Sequence, residues 1–202
     1  MKKIFLPYQT VRNNAIRLAW QIYRSGFIPD VIYVSLRGGA YLGNVISEYF
    51  KLVRKHERPV YYAAVVARSY ADVRVQQLIK VEGWTYNPEH LRQGDRVLIV
   101  DDIFDTGRTV NHLVNVVLAK GIPRQDIRIA VHDYKIRRYL GEELAVHPDY
   151  YCAKHVIERQ EEDFWIHYSS HELVGLTAEE RESHYYAHDP GLREALEFLY
   201  QQ

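Results

Sequence analysis

Residues 97–110 read VLIVDDIFDTGRTV, and three carboxylates crowd a turn otherwise suited to an anion. Thr106, Gly107, Arg108 and Thr109 stand where apolar spacing begins a helix, so several backbone N–H groups there lack intrahelical acceptors. Gly107 lets a ligand approach the backbone, two hydroxyls add donors, and the helix dipole favours negative charge. Phosphate suits such a turn. Asp101, Asp102 and Asp105 do not suit phosphate alone, but they do suit a sugar phosphate. Ionised carboxylates only accept hydrogen bonds, and the vicinal hydroxyls of a ribose donate them. Asp101 and Asp102 also offer the oxygen ligands that Mg²⁺ prefers, which would offset their charge beside a pyrophosphate. The lack of a Gly-Lys-Ser/Thr triplet separates this segment from a Walker phosphate loop.

Such residues need a frame, and the hydrophobic periodicity predicts one. Val11, Ala15, Ile16, Leu18, Ala19, Ile22 and Tyr23 recur at helical spacing, and Gly26 ends the run. Residues 31–36, VIYVSL, form a short apolar strand that enters the turn RGG. Residues 40–55 return to helical spacing, 60–70 are β-rich, and 75–84 read as the second strand of a hairpin. RVLIV, 96–100, is a strand and TVNHLVNVVLAK, 109–120, a helix stopped by Gly121 and Pro123. IRIAVH, 127–132, gives the next strand. This alternation predicts an α/β fold with a twisted, mostly parallel sheet and helices on both faces. Ligands of such sheets bind beyond the carboxyl ends of the strands, where SLRGG and VDDIFDTGRT both fall. About forty residues at the end lose the alternation and read as a hood plus a final helix, GLREALEFLY.

At 202 residues, with 47% hydrophobic and 26% charged side chains, the chain is long enough for one domain with a proper core. Basic and acidic residues number 26 each, so no global field draws it to nucleic acid or a membrane, and anion specificity must be local. A single cysteine, Cys152, excludes an internal disulfide and reads as a small buried hydrophobe. MKKIFLPYQT lacks the apolar stretch of a signal peptide, and no run approaches the roughly 20 residues of a membrane span. The expectation is a cytoplasmic protein. There are 17 tyrosines, many in a tail rich in histidine and acids, and the pattern assigns them no task.

VLIVDD also begins phospho-acceptor receiver domains, whose acid pair binds Mg²⁺; Asp133, ending the next strand, would then be the phosphorylated group. About a hundred residues precede the pair here, however, and a receiver has no need of DTGRT. The segment resembles instead the signature of type I phosphoribosyltransferases, which bind 5-phosphoribosyl 1-pyrophosphate. Four hydrophobics, two acids, then Asp-Thr-Gly and a hydroxyl carry the likeness, which spans about residues 28–175. It implies that family's fold as a single domain over 1–202. The core would lie at about 28–145, a hood at about 146–175 with N-terminal contributions, and an extension at 176–202.

The resemblance also implies roles. Asp101 and Asp102 would contact the ribose hydroxyls and help place Mg²⁺, while Asp105, Thr106, Gly107, Arg108 and Thr109 would hold the 5-phosphate. Arg37, Gly38 and Gly39 match the pyrophosphate loop, with a strained peptide between Leu36 and Arg37. Arg68, Ser69 and Tyr70 match the start of a mobile loop that closes over the reaction. In members that use 6-oxopurines, the acid matching Asp105 accepts a proton near purine N7. In those members a lysine after the next strand, here Lys135, meets the exocyclic oxygen. DFWIHYSSHEL resembles the hood, where Trp165 would stack on the purine and Ile166 would offer backbone groups to the ring edge. Glu172 matches an acid that touches a second metal in relatives, although SSHE stands where a bacterial xanthine/guanine enzyme tends to show Pro-Trp.

The reading is therefore a purine-salvage enzyme acting on hypoxanthine, xanthine or guanine, assembled as a homodimer or homotetramer. Two alternatives stay open: a phosphoribosyltransferase for adenine, orotate or uracil, and a non-catalytic, nucleotide-responsive regulator that binds nucleic acid. The second would need a basic face with aromatics, for which KLVRKHERP and KIRR are the only local candidates, and neither nucleic acid nor membrane is expected as a partner.

Overall fold

The computed structural model describes residues 2–55, 58–70, 78–141 and 145–200; the side chains of 68–70, 78–80 and 82 lie outside that description. Along the chain come β1 (Lys2–Leu6), α1 (Tyr8–Arg24), β2 (Val31–Leu36), α2 (Ala40–Val53), β3 (Tyr61–Tyr70) and β4 (Leu78–Trp84). Next are β5 (Val97–Phe104), α3 (Arg108–Leu118), β6 (Ile127–Arg137), β7 (Tyr150–Ile157) and β8 (Phe164–Tyr168). A short α4 (Ala178–Arg181), a π-helical turn (Glu182–Tyr186) and α5 (Leu192–Tyr200) complete it.

The elements form two compact units, Gln9–Asp163 and the residues up to Tyr8 together with those from Phe164 onward. The smaller unit does not begin near 146, because β7 joins the main sheet, and the residues expected as a separate extension share one unit with β8.

The larger unit holds a six-stranded sheet in the order β4-β3-β2-β5-β6-β7, parallel except for β4, which runs antiparallel to β3. The four consecutive apolar residues of β5 are explained by two buried faces. Val97 and Ile99 pack with Val110, Leu113, Val114 and Val117 of α3, whereas Leu98 and Val100 pack with Leu18 and Ile22 of α1 and Ile46 and Phe50 of α2. Val31 and Tyr33 of β2 share the first cluster, and Ile32 and Val34 the second, as a period of two requires. Each fully buried Leu, Ile or Val contributes roughly 1.5–3 kcal/mol, so β2 and β5 are held firmly where their carboxyl ends carry the candidate residues.

Two strands run further than their apolar residues. β5 continues through Asp101 and Asp102 to Phe104, and β6 continues through Lys135 to Arg137, so the acid pair and the lysine lie within strands rather than after them. Cys152 is partly buried against the second cluster, and burial together with Asp133 pushes its thiol up to about 12. Among the described residues, no helix is long and apolar enough to cross a membrane.

The smaller unit is a two-stranded parallel sheet, β1 with β8, pairing Lys2 with Phe164 through Leu6 with Tyr168. Leu176, Tyr185 and Tyr186 form its core, with Phe5 and Leu196 packed against them. A capping box starts α4, in which Thr177 accepts from the Glu180 amide at 3.1 Å and Glu180 accepts from the Thr177 amide at 2.8 Å.

Candidate active site

β2 and β5 are hydrogen-bonded neighbours, with Val31 opposite Val97 and Val34 opposite Val100, so the loops at their carboxyl ends lie side by side. After β2 the peptide between Leu36 and Arg37 is cis, Arg37 is exposed, and the Gly39 amide donates back to Ser35 O at 3.0 Å. Glycine at 38 and 39 is a requirement of space. A Cβ on Gly38 would stand 2.3 Å from the Asp102 carboxylate, and one on Gly39 would stand 2.8 Å from Val100 O and 2.9 Å from Asp101 Cα. The backbone after β2 therefore presses directly on the acid pair.

Asp101 Oδ1 accepts from the Asp102 amide at 3.0 Å, and Asp102 Oδ1 accepts from the Ile103 amide at 2.9 Å. Burial, and then the negative charge of Asp102, push the Asp101 carboxyl well above the usual carboxylate range, against a hydrogen bond from Ser35. A pair in this condition gains from a cation at its oxygens.

Three residues on, Gly107 adopts φ 68°, in the left-handed region, and turns the chain into α3. Asn111 ties that turn down. Its side-chain amide donates to Gly107 O at 3.0 Å and to Val146 O at 3.2 Å, and its carbonyl accepts from the Val146 amide at 3.1 Å. Thr106 is exposed, and the first-turn amides of α3 from Arg108 onward point out of the helix end, as an anion site needs.

Asp105 belongs to a charged cluster that the sequence did not reveal. Its Oδ1 meets Arg137 Nη2 at 2.7 Å and Lys135 Nζ at 3.5 Å. Asp163 faces the same two cations, with Oδ1 2.7 Å from Lys135 Nζ and Oδ2 2.6 Å from Arg137 Nε, and it also accepts from the Tyr139 hydroxyl at 2.9 Å. Burial works against the Arg137 guanidinium, but Asp105 and Asp163 outweigh it and raise its pKa above the ordinary arginine value. Asp105, Thr106, Lys135, Arg137, Phe104 and Tyr134 help line an open cavity of about 290 Å³. Arg137 had one legible sign, its place two residues after Lys135 on a strand. Asp163 had none, since 28 residues separate it from Lys135.

The remaining candidates divide as follows. Arg68, Ser69 and Tyr70 end β3, their side chains lie outside the description, and the loop they were expected to open, 71–77, lies outside the described residues. In the smaller unit Trp165 is half exposed, whereas the Ile166 side chain is buried. Glu172 accepts from Trp165 Nε1 at 3.0 Å. Asp133 does not behave as an accessible phospho-acceptor. It is buried, and its two oxygens meet His132 Nδ1 at 2.6 Å and His155 Nε2 at 2.7 Å.

A glycine-backed acid pair and a helix-opening turn, on the carboxyl ends of adjacent parallel strands, place the chain among α/β proteins whose ligand sites lie at strand ends. The phosphoribosyl transferase domain matches residues 5–169, and the chain belongs to that family. It is 26% identical over 171 residues to the Bifunctional protein PyrR of Halalkalibacterium halodurans, covering 80% of this chain and 88% of the relative. By structure it is similar to a purine phosphoribosyltransferase from Pyrococcus horikoshii, with TM-score 0.62 and 23% identity, covering 88% of this chain and 99% of that one. A hypothetical protein from Neisseria gonorrhoeae with bound ppGpp gives TM-score 0.65 at 19% identity, covering 93% of this chain and 97% of that one. The xanthine-guanine-hypoxanthine phosphoribosyltransferase of Helicobacter pylori gives 0.55 at 22% identity, covering 82% and 92%.

Proposed function

We propose that this chain moves the 5-phosphoribosyl group of 5-phosphoribosyl 1-pyrophosphate to a 6-oxopurine, giving a nucleoside monophosphate and pyrophosphate. The observation that carries the reading is the abutment of Gly38 on Asp102. It sets backbone donors for a diphosphate against carboxylate acceptors for ribose hydroxyls, at the end of two neighbouring strands. Two of the structural neighbours are named for purine transfer, and a third holds ppGpp, a phosphorylated purine, which favours a purine over other bases.

Asp101 and Asp102 fit Mg²⁺. Both are hard oxygen donors on consecutive residues at the carboxyl end of β5, the kind of ligand that Mg²⁺ prefers. When bound there, Mg²⁺ would offset charge on the leaving pyrophosphate. Arg37 and the Gly38 amide would bind that pyrophosphate, with Gly39 letting the loop backbone pack against β5, and the turn from Thr106 to Thr109 would bind the 5-phosphate. Lys135 would meet the exocyclic oxygen of the base, Trp165 would offer its ring face, and Asp105 would accept the proton that the purine loses. Departure of pyrophosphate leaves positive charge on the ribose ring, so water has to be kept out while the base attacks.

Arginines of the two basic segments are paired within the fold, which disfavours a nucleic-acid regulator. Arg54 pairs with Asp30 at 3.0 Å, Arg58 with Asp95 at 3.1 Å and Arg138 with Glu158 at 2.8 Å, beside the Arg137 pairs above.

The test is pyrophosphate release from the sugar diphosphate and Mg²⁺ with guanine, hypoxanthine, xanthine or adenine supplied one at a time. Release with at least one 6-oxopurine and little with adenine is expected; release with adenine alone would overturn the base assignment. Trp165→Ala should raise the KM for the base, by roughly 1–3 kcal/mol of lost stacking, with little change in the KM for the sugar diphosphate.

The glycines give a further expectation. Gly38→Ala should push the Asp102 carboxylate aside and weaken sugar-diphosphate binding while the melting temperature stays near parental. Gly39→Ala meets backbone instead, so it should also lower stability by about 1–3 kcal/mol. Calorimetric titration and thermal melts of the two variants separate these outcomes, and equal binding by both variants and the parent would displace the site.

A further inference from the structure

The C-terminal tyrosines have no part in the chemistry above, yet one of them, Tyr185, holds the backbone of Glu172, the residue that accepts from the Trp165 indole. We infer that Glu172 and Tyr185 fix the Trp165 ring as a platform for the base, which makes Glu172 a positioning residue and not the ligand of a second metal. The inference rests on the stacking role proposed for Trp165.

An indole has a single donor, and here it is used inside the protein. Trp165 Nε1 donates to Glu172 Oε2 at 3.0 Å, although half of the residue is open to solvent. Glu172 is in turn held along its backbone. Its amide donates to Tyr168 O at 2.9 Å, and its carbonyl accepts from the Tyr185 hydroxyl at 2.7 Å. With that hydroxyl proton spent on Glu172, the 2.9 Å contact of Tyr185 with His167 Nε2 requires the imidazole to donate. Burial pushes the His167 imidazole below the ordinary histidine value, so a neutral ring carrying its proton on Nε2 suits the site. His167 Nδ1 stands 3.4 Å from Glu172 Oε2, a poor hydrogen-bonding distance.

Tyr185 is itself buried in the core of the smaller unit, beside Leu176 and Tyr186. The tail continues the same work. Tyr200 donates to Leu173 O, Arg181 lies 3.9 Å over the Tyr200 ring, and Arg181 and Tyr186 share Glu197. A chain of contacts thus runs from α5 and the π-helical turn through Glu172 to one ring edge of Trp165. An exposed aromatic that a ligand must immobilise weakens binding, whereas one already fixed does not.

The experiment compares Glu172→Ala, Glu172→Gln and Tyr185→Phe in two readouts. In a background carrying Trp20→Phe and Trp84→Phe, Trp165 is the only tryptophan, and its anisotropy and acrylamide quenching report ring mobility without any ligand. Glu172→Ala should lower anisotropy, increase quenching and raise the KM for the base about 2- to 10-fold, with the Mg²⁺ dependence of the rate retained. Glu172→Gln keeps an acceptor for the indole and should recover most of both signals, and Tyr185→Phe should show the Ala effects at smaller size. A higher Mg²⁺ requirement in Glu172→Gln, or a Trp165 equally immobile in Glu172→Ala and the parent, overturns the inference. If the parent releases no pyrophosphate with any base, the proposed function fails, while the fluorescence still decides the positioning claim.

Discussion

Asp105→Asn is expected to slow phosphoribosyl transfer by about 10²- to 10⁴-fold, with affinity for the sugar diphosphate near parental. Asparagine keeps an oxygen for Arg137, which meets Asp105 Oδ1 at 2.7 Å, so the charged cluster retains most of its geometry. What asparagine cannot do is accept a proton. Arg137 at 2.7 Å and Lys135 at 3.5 Å both approach the carboxylate through Oδ1, which anchors it beside the place where the base would give up its proton. Single-turnover rates with saturating purine isolate the chemical step. Equal rates for Asp105→Asn and parent would remove the base assignment and leave Asp105 as an anchor for Arg137. Arg137→Ala supplies the complementary control. It should change the position of Asp105 without removing its carboxylate, so its rate should fall less than that of Asp105→Asn.

The parts of the fold legible in the sequence are those in which burial is two-sided. VIYVSL and VLIV read as strands because both faces are covered, and α3 reads as a helix because Val110, Leu113, Val114 and Val117 recur on its buried side. The strand ends were misread for one reason. Polar residues at the carboxyl ends of β5 and β6 look like the start of a loop, yet the ladder continues through them, pairing Asp101 with Val131 and Ile103 with Asp133. β1 and β8 escaped notice altogether. Each is five residues long, and each pairs only with a segment some 160 residues away, so no local pattern marks them. The same non-locality hid Asp163. The acid pair and the turn after it stand out in the sequence because they are contiguous, whereas the residues that pair with Asp105 come from distant parts of the chain.

Asp163→Ala tests that hidden part, and its expected effect is on stability as much as on activity. The Lys135 side chain is 2% exposed and that of Arg137 14%, so each cation depends on its carboxylate partners more than on solvent. Asp163 answers both at 2.7 and 2.6 Å and also takes the Tyr139 hydroxyl. Its removal leaves Asp105 as the nearest carboxylate to two cations, at 3.5 Å from Lys135 and 2.7 Å from Arg137. Breaking one side of such a buried pair destabilises by about 3–5 kcal/mol, more than any exposed ion pair here should contribute. Urea denaturation at neutral pH measures the loss, and Asp163→Asn, which keeps an acceptor, should lose less. Adding Lys135→Met to Asp163→Ala should restore part of the stability, because one of the two buried cations that shared Asp163 is gone, and the double-mutant cycle gives the coupling between the two residues. A loss below about 1 kcal/mol in Asp163→Ala would mean that water reaches the cluster, and the charge held near Asp105 would then be too well screened to distinguish one purine from another.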